Sequence, residues 1–263
     1  MNIGDLLRRL SILPVLRDVG VCAEEMGSCA YAVGGLVRDL FLQRETLDAD
    51  VVIEGDGIAF ASRFSADQGA QLTIYKRFKT ASLVFPGSFK VDVATARTET
   101  YDRPAALPLV KPGSIKDDLS RRDFSINTLA TCLNPGHFGD LLDPFRAMDD
   151  IADKLIRVLH DKSFVDDPTR IFRAVRFEKR FGFMIEDTTE TLIMDAVSAG
   201  LIERLSGYRI ASELKLVLRE EDPLPIVGRL EELGVLSPVS RRGEKHTELK
   251  RLLRRIDEVK LAV

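Results

Sequence analysis

Hydrophobic and polar positions follow two different patterns along this chain, and the change falls near residue 150. Before that point, apolar residues at three- and four-residue spacing predict helices over 5–27, 36–42 and 58–68. Alternating segments rich in β-branched residues predict strands over 31–35, 48–54, 71–75, 81–85 and 89–94. A chain that mixes these elements in this way predicts a sheet domain with helices packed on it.

Helical spacing alone continues after residue 150. It predicts helices over 168–181, 186–199, 208–218, 224–233 and 248–259. The expected fold class is therefore α+β, a β-sheet domain followed by an all-helical part. We divide the chain into an N-terminal helix (1–27), a sheet domain (28–150), a helical region (151–222) and a short helical remainder (223–263). The last helical pattern has no C-terminal cap, and we expect the natural domain to continue beyond it.

Composition narrows the class of protein. The 263 residues are 45% hydrophobic and 30% charged, which supplies a sizeable core and excludes a disordered chain. Cys22, Cys29 and Cys132 show neither a disulfide pattern nor metal-site spacing. No apolar run reaches the ~20 residues of a membrane span, and the N-terminus lacks a signal-peptide core. We therefore expect a reduced, soluble, cytoplasmic protein without a membrane partner.

Three acidic residues on predicted strands are the first candidates for chemistry. Asp48 and Asp50 lie two apart on one strand, so their carboxylates point to the same face. Carboxylates held so close repel unless a cation lies between them, and Mg²⁺ is the usual one. Asp92 lies on another predicted strand, and three carboxylates on adjacent strands can hold the two Mg²⁺ ions of nucleotidyl transfer. The alternative is a pair of surface acids on an edge strand.

A glycine pair, Gly34 and Gly35, lies between a predicted strand and a predicted helix. Such a turn exposes backbone N–H groups, and a helix N-terminus attracts phosphate. Arg38, one turn into the helix, can reach a phosphate oxygen. The glycines alone would indicate only a tight turn. Followed by Asp-x-Asp, they predict a triphosphate cradle beside a metal site.

Five motifs in order resemble one protein family. The first is Tyr-Ala-Val-Gly-Gly-Leu-Val-Arg-Asp (31–39) followed by Leu-Asp-Ala-Asp-Val-Val-Ile-Glu-Gly-Asp (47–56). The others are Arg-Arg-Asp-Phe-Ser-Ile-Asn (121–127), Leu-Asp-Pro-Phe (142–145), Asp-Asp-Pro-Thr-Arg-Ile-Phe-Arg-Ala-Val-Arg-Phe (166–177), and the segment 203–215. Over roughly residues 30–220 the chain resembles the class II tRNA nucleotidyltransferase and bacterial poly(A) polymerase family.

The resemblance implies a palm-like nucleotidyltransferase head followed by a helical neck that selects the nucleotide. It implies Mg²⁺-dependent, template-independent addition of CMP and/or AMP, from CTP or ATP, to the 3′ end of tRNA, with no DNA partner. It makes Asp48 and Asp50 the metal ligands and places Asp92 at a third acidic position, where glutamate also occurs. The implied nucleotide-binding residues are Gly34, Gly35, Arg38 and Arg122 at the phosphates, Asp123 near the ribose, and Asp167, Arg170, Arg173 and Arg176 in the neck.

The neck residues Asp167 and Arg170 also suggest how a base is selected. They lie three apart on a predicted helix and would share a face, offering an acceptor beside a donor. Cytosine and adenine present an amino donor beside a ring acceptor and match the pair, whereas uracil and guanine present the reverse order. Two mismatches would give a discrimination of ~10²–10⁴.

The exact activity stays open at this point. CCA-adding, CC-adding and A-adding enzymes share these motifs, although the stretch after Asp50 resembles relatives with extra N-terminal domains, some of them A-adding. A poly(A) polymerase would use the same site without stopping. A small-molecule nucleotidyltransferase should lack the neck residues, and a silent RNA- or nucleotide-binding module should lack the carboxylates.

Overall fold

A computed structural model gives the fold and describes residues 1–44, 46, 48–85, 89–243 and 247–261. Leu47, the first residue of the second half of the opening motif, lies outside these residues. The chain divides into two compact units. The first comprises Met1–Thr100 and Leu109–Asp149, and the second comprises Tyr101–Pro108 and Asp150–Val263. The sequence pattern gave no indication that residues 101–108 pack with the later part of the chain.

Helices and strands alternate through the first unit. Its helices are α1 (Gly4–Leu7), α2 (Leu13–Glu25), α3 (Gly35–Phe41), α4 (Gly57–Gln68) and α5 (Ile115–Ser120). The helix α6 (Ala147–Ala152) contains the last residues of this unit, which ends at Asp149. Its strands are β1 (Cys29–Val33), β2 (Asp48–Glu54), β3 (Gln71–Tyr75), β4 (Thr80–Val84), β5 (Lys90–Thr95), β6 (Arg97–Thr100), β7 (Leu109–Pro112), β8 (Ala130–Cys132) and β9 (Leu141–Leu142).

One mixed sheet forms the frame of this unit, with the strand order β3-β4-β5-β2-β1-β8-β9. The pair β2–β5 is parallel, and the other neighbours are antiparallel. The strands β6 and β7 form a separate antiparallel pair. Because β2 lies at the centre, its side chains alternate between two faces that other elements cover to different extents.

One face of the sheet is covered by α4. Asp56 caps this helix by accepting hydrogen bonds from the backbone N–H groups of Ile58 and Ala59. Phe60 and Phe64 of α4 are buried, as are the β2 residues Val51 and Ile53. Each buried phenylalanine contributes ~1.5–3 kcal/mol through removal of apolar surface from water.

The opposite face of β2 is covered only over its later half. Val52 joins a cluster of buried residues that includes Val33, Ile115 and Leu119, the last two from α5. Asp48 and Asp50, earlier on the same face, are exposed. The packing of α5 therefore leaves the two carboxylates open to solvent.

The N-terminal helix predicted over 5–27 is wrong as a single element. The structure contains two helices, α1 and α2, joined by a turn at residues 8–12. Pro14 lies in the first turn of α2. Proline has no N–H to donate, so it fits a first turn and disrupts a helix interior.

Helices dominate the second unit: α7 (Ser163–Asp166), α8 (Thr169–Phe181), α9 (Asp187–Ser198), α10 (Gly207–Val217), α11 (Leu224–Glu232), α12 (Leu236–Gly243) and α13 (Thr247–Leu261). The helix α8 packs against α10 and α11 and buries Ile171, Phe172 and Val175. The prediction of an all-helical part needs one correction, because β10 (Leu155–Ile156) and β11 (Met184–Ile185) form a parallel pair. Two-residue strands are too short to leave an alternating pattern.

The α+β class, with a sheet domain followed by a mainly helical part, is confirmed. Among the helices that the structure describes, none combines the length and apolar composition that a membrane crossing requires.

Candidate functional site

The three predicted carboxylates lie on one sheet face. Asp50 of β2 is opposite Asp92 of β5 in the parallel ladder, and Asp48 is opposite Lys90. Residues in register on neighbouring strands point to the same side, as do residues two apart on one strand. The structure therefore brings Asp48, Asp50 and Asp92 to the uncovered face, as the sequence predicted.

Lys90 is a neighbour that the sequence reasoning missed. Its Nζ lies 2.6 Å from Oδ2 of Asp92, and this hydrogen bond raises the pKa of Lys90. The lysine therefore neutralises Asp92. Within the described residues, it forms no such ion pair with Asp48 or Asp50. The signal was present in the sequence, since Lys90 and Asp92 are two apart on a predicted strand and share a face.

Asp50 lies in a setting that disfavours its negative charge. Solvent reaches the side chain, but the surrounding protein reduces its hydration, and this effect raises the pKa of Asp50. Arg122 lowers that pKa and Asp92 and Asp48 raise it.

The donor set of this face fits a divalent cation. Two exposed carboxylates on one strand face repel each other, and a cation between them would offset that repulsion. Within the described part of the chain, no three His, Cys, Asp or Glu side chains are grouped closely enough to hold a metal. Asp48 and Asp50 are thus the candidate ligands, while Asp92 is bound to Lys90.

The turn at Gly34 brings the glycine pair close to Arg122. Gly34 has φ 64° and ψ −122°, a combination that only glycine adopts readily, and it precedes α3. A Cβ added there would lie 2.6 Å from Nη1 of Arg122. The guanidinium of Arg122 therefore occupies the space that a side chain would fill, and its charge also acts on Asp50.

Asp118 anchors the arginine pair. It is fully buried and accepts hydrogen bonds from Arg121 (Nε, 3.0 Å) and Arg122 (Nη2, 3.1 Å). Arg121 also pairs with Glu99 at 2.9 Å. The two arginines thus differ: Arg121 links two elements of the unit, whereas Arg122 lies against Gly34. Nε of Arg122 is buried and has no hydrogen-bond partner among the described residues.

Arg38 does not lie open to solvent as a free phosphate ligand would. It is 5% exposed, and its guanidinium donates to Asp39 at 2.9 Å and to Asn127 at 2.5 Å. Asn127 in turn donates to Asp123 at 2.9 Å. Asp123 is also buried. These residues form a network that ties α3 to the segment after α5, and their contacts with a nucleotide stay predictions.

In the second unit, Asp167 differs from the expected arrangement. It has φ −138° and ψ 92°, so it is extended and precedes α8. The argument that Asp167 and Arg170 share a helical face is therefore wrong, because only Arg170 is helical. Asp167 accepts hydrogen bonds from Thr169 N at 2.9 Å and from Arg209 Nη2 at 2.6 Å.

The three neck arginines lie in different surroundings. Arg170 is buried, and its Nη1 donates to Ser163 at 2.7 Å. Arg176 is also buried, and its Nη1 donates to Glu220 at 3.2 Å. Burial lowers the pKa of Arg176. Arg173 is partly exposed and lies over the ring of Phe177 at 5.3 Å.

Two further residues were missed by the sequence reasoning. Asp118 carries a signal, since it lies three and four residues before Arg121 and Arg122 on a helix. Arg209 carries none, because 42 residues separate it from Asp167.

Comparison with known proteins finds relatives that are similar over most of this chain. Residues 30–157 match a family described as the poly A polymerase head domain. An A-adding tRNA nucleotidyltransferase from Geobacter sulfurreducens is 50% identical over 222 residues, which cover 84% of this chain and 25% of the relative. Another, from Halalkalibacterium halodurans, is 40% identical over 225 residues, covering 85% of this chain and 53% of the relative. The chain therefore contains the poly A polymerase head domain over residues 30–157, and most of its length is similar to tRNA nucleotidyltransferases.

Solved structures of this family share the fold. The Thermotoga maritima CCA-adding enzyme complexed with tRNA is 41% identical and has a TM-score of 0.81, covering 91% of this chain and 55% of that one. A CCA-adding enzyme complexed with ATP is 40% identical with a TM-score of 0.81, covering 91% and 56%. The chain spans a quarter to about half the length of the curated relatives it matches.

Proposed function

We propose that this chain transfers AMP, and CMP where the acceptor requires it, from ATP or CTP to the 3′ end of tRNA and releases pyrophosphate. The observation that carries the proposal is the exposed pair Asp48 and Asp50 on one face of the sheet. The positive charge of Arg122 acts on Asp50, and the guanidinium of Arg122 lies against the turn at Gly34. Relatives named A-adding, at 40–50% identity, favour AMP as the nucleotide.

The residues of the first unit have distinct roles in this proposal. The 3′-terminal hydroxyl of tRNA attacks the α-phosphate of the nucleotide. Arg122 binds the triphosphate, with Asp118 holding its guanidinium in place. The absence of a side chain at Gly34 lets Arg122 lie against the turn, beside the backbone N–H groups at the start of α3 that would receive a phosphate. Gly35 and Arg38 complete the phosphate contacts, and Asp123 lies near the ribose.

Asp48 and Asp50 are the proposed Mg²⁺ ligands. When bound, Mg²⁺ would stabilise the negative charge that develops on the phosphates and on the leaving pyrophosphate. Asp92 shares their face as a third carboxylate and is held by Lys90. We also propose that a second Mg²⁺ ion binds at this face, as expected for two-metal nucleotidyl transfer.

In the second unit, Asp167 is the proposed acceptor for the amino group that adenine and cytosine share. Guanine and uracil place a carbonyl oxygen at that position, and two acceptors facing each other cost ~1–3 kcal/mol for each unpaired group. Arg170 is the proposed donor to the adjoining ring nitrogen, with one of its amino groups fixed by Ser163. Arg173 and Arg176 are proposed to line the same pocket.

The alternatives are less well supported. Several of the relatives that resemble this chain carry tRNA nucleotidyltransferase names, which favours limited addition over poly(A) synthesis. A silent binding module would not need the exposed acid pair. We expect the reaction to take place in the cytoplasm, where ATP and tRNA are available.

The test is incorporation of labelled ATP and CTP into three tRNAs, one without its CCA end, one ending in CC and one complete. We expect one AMP on the tRNA ending in CC and none on the complete tRNA, with product length read on a sequencing gel. Asp48→Ala is the control for contaminating activity. Repeated AMP addition would instead assign poly(A) synthesis, and no incorporation into any of the three would contradict the proposed activity.

A further inference from the structure

The carboxylate of Asp167 is held through one oxygen only. Oδ1 accepts hydrogen bonds from Thr169 N (2.9 Å), from Thr169 Oγ1 and from Arg209 Nη2 (2.6 Å). Across the described ranges, no hydrogen bond is made to Oδ2. The residue is therefore an acceptor with a fixed oxygen and a free one, and the side chain is 25% exposed.

Arg209 is itself fixed at two points. Its Nη2 donates to Asp167, while its Nη1 donates to the backbone oxygen of Ala105 at 2.8 Å. Ser206 caps α10 by accepting from the backbone N–H of Arg209, which sets where the side chain begins. A guanidinium is planar and its N–H groups point in fixed directions, so two acceptors define its orientation.

We propose that Arg209 is a positioning residue for base selection, which holds Oδ1 of Asp167 so that Oδ2 is presented to the amino group of the incoming nucleotide. This inference rests on the proposed role of Asp167. Rotation about the last torsion of an aspartate is nearly free, because that torsion has broad minima. Without Arg209, the carboxylate of Asp167 would rotate, so that its two oxygens change places and direction. Neither oxygen would then be held where it matches one base edge and not the other.

The competing explanation is that Arg209 and Asp167 form an ion pair that only stabilises the second unit. The two explanations differ in what removal of the guanidinium changes. A structural pair affects thermal stability and leaves the ratio of nucleotide affinities unchanged. A positioning residue changes that ratio, and a lysine that retains the charge but offers no second fixed donor restores it only in part.

The experiment measures equilibrium binding of ATP, CTP, GTP and UTP to the full chain in Mg²⁺, together with the melting temperature. Variants are Arg209→Met, Arg209→Lys and Thr169→Val. The matched control is Arg229→Met, because Arg229 is exposed to a similar extent (19% against 21%) and is ion-paired with Glu190 at 2.6 Å. Inorganic pyrophosphate serves as the probe of phosphate binding.

We expect Arg209→Met to reduce the preference for ATP over GTP about tenfold, the effect of losing one charge-assisted hydrogen bond, with pyrophosphate affinity unchanged. Arg209→Lys should lie between this variant and the wild type, and Thr169→Val should show a smaller reduction. Arg229→Met should lower the melting temperature and leave the preference as it is.

The inference would be overturned if Arg209→Met kept the preference for ATP over GTP unchanged, or if Arg229→Met reduced that preference as much as Arg209→Met does. If Arg209→Met does not fold, Thr169→Val decides in the same way, because it removes one donor to Oδ1. A wild type that binds all four nucleotides equally also overturns it. A wild type that binds selectively but adds nothing to tRNA contradicts the proposed activity and leaves the role of Arg209 standing.

Discussion

Replacement of Gly34 by alanine tests the phosphate-binding turn directly. The backbone at Gly34, with φ 64° and ψ −122°, is strained for any residue with a Cβ, at a cost of ~1–3 kcal/mol. The new Cβ would lie 2.6 Å from Nη1 of Arg122. Ordinary contact needs ~3.5 Å, so the guanidinium must move by about 1 Å. It cannot swing away freely, because Asp118 holds its other amino group.

A displacement of that size at a substrate-positioning group lowers turnover about 10²-fold. We therefore expect Gly34→Ala to lose AMP incorporation to that extent and to unfold at lower urea concentration. The assay combines initial rates on tRNA ending in CC with urea unfolding, so that folded protein is compared with folded protein.

Gly69→Ala is the matched control for this substitution. Gly69 also has a positive φ, 65°, but among the described residues beyond its chain neighbours none comes within 4 Å of an added Cβ. It should cost about 1 kcal/mol of stability, through the left-handed backbone alone, and leave the rate of incorporation unchanged. A folded Gly34→Ala variant with a rate within threefold of the wild type would refute the reasoning about Arg122.

Two other substitutions test the acid pair and the arginine anchor. Asp50→Ala should abolish incorporation without lowering the melting temperature, because it removes a charge that its surroundings disfavour. Mg²⁺ should raise the melting temperature of the wild type and not that of the variant. Residual activity above a few per cent would exclude Asp50 as a ligand. Asp118→Ala should lose ~3–5 kcal/mol in urea unfolding, because it removes the buried partner of Arg122 and one of the two partners of Arg121. The control Asp117→Ala changes a half-exposed carboxylate and should lose much less, and equal losses would contradict the anchoring role of Asp118.

Long elements with strong periodicity were predicted well from the sequence. The strand 48–54 coincides with β2, and the helix 58–68 lies within one residue of α4. Both patterns are produced by burial on one face, which repeats along a continuous segment. Short elements such as β9 and β10 leave no such repeat, because two residues cannot show a period. The break between α1 and α2 was missed although Pro14 marks it.

Part of the candidate site was also predicted from the sequence, and part was not. Residue types and short spacings were enough to place Asp48 and Asp50 on one strand face, since strand geometry is a local consequence of the sequence. The alignment of Asp92 with Asp50 depends on the pairing of β2 with β5, which the fold decides. The motifs also indicated the family.

Only the tertiary structure decided which of these side chains are free and which are already bound. Arg38 is paired with Asn127 across 89 residues, and Asp167 with Arg209 across 42. Such pairings depend on which helices pack together, and no period along the chain encodes them. The sequence therefore determined the long periodic elements, the acid pair and the kind of chemistry. The fold determined the partner, burial and orientation of each charged group, because charged groups find their partners only after distant segments meet.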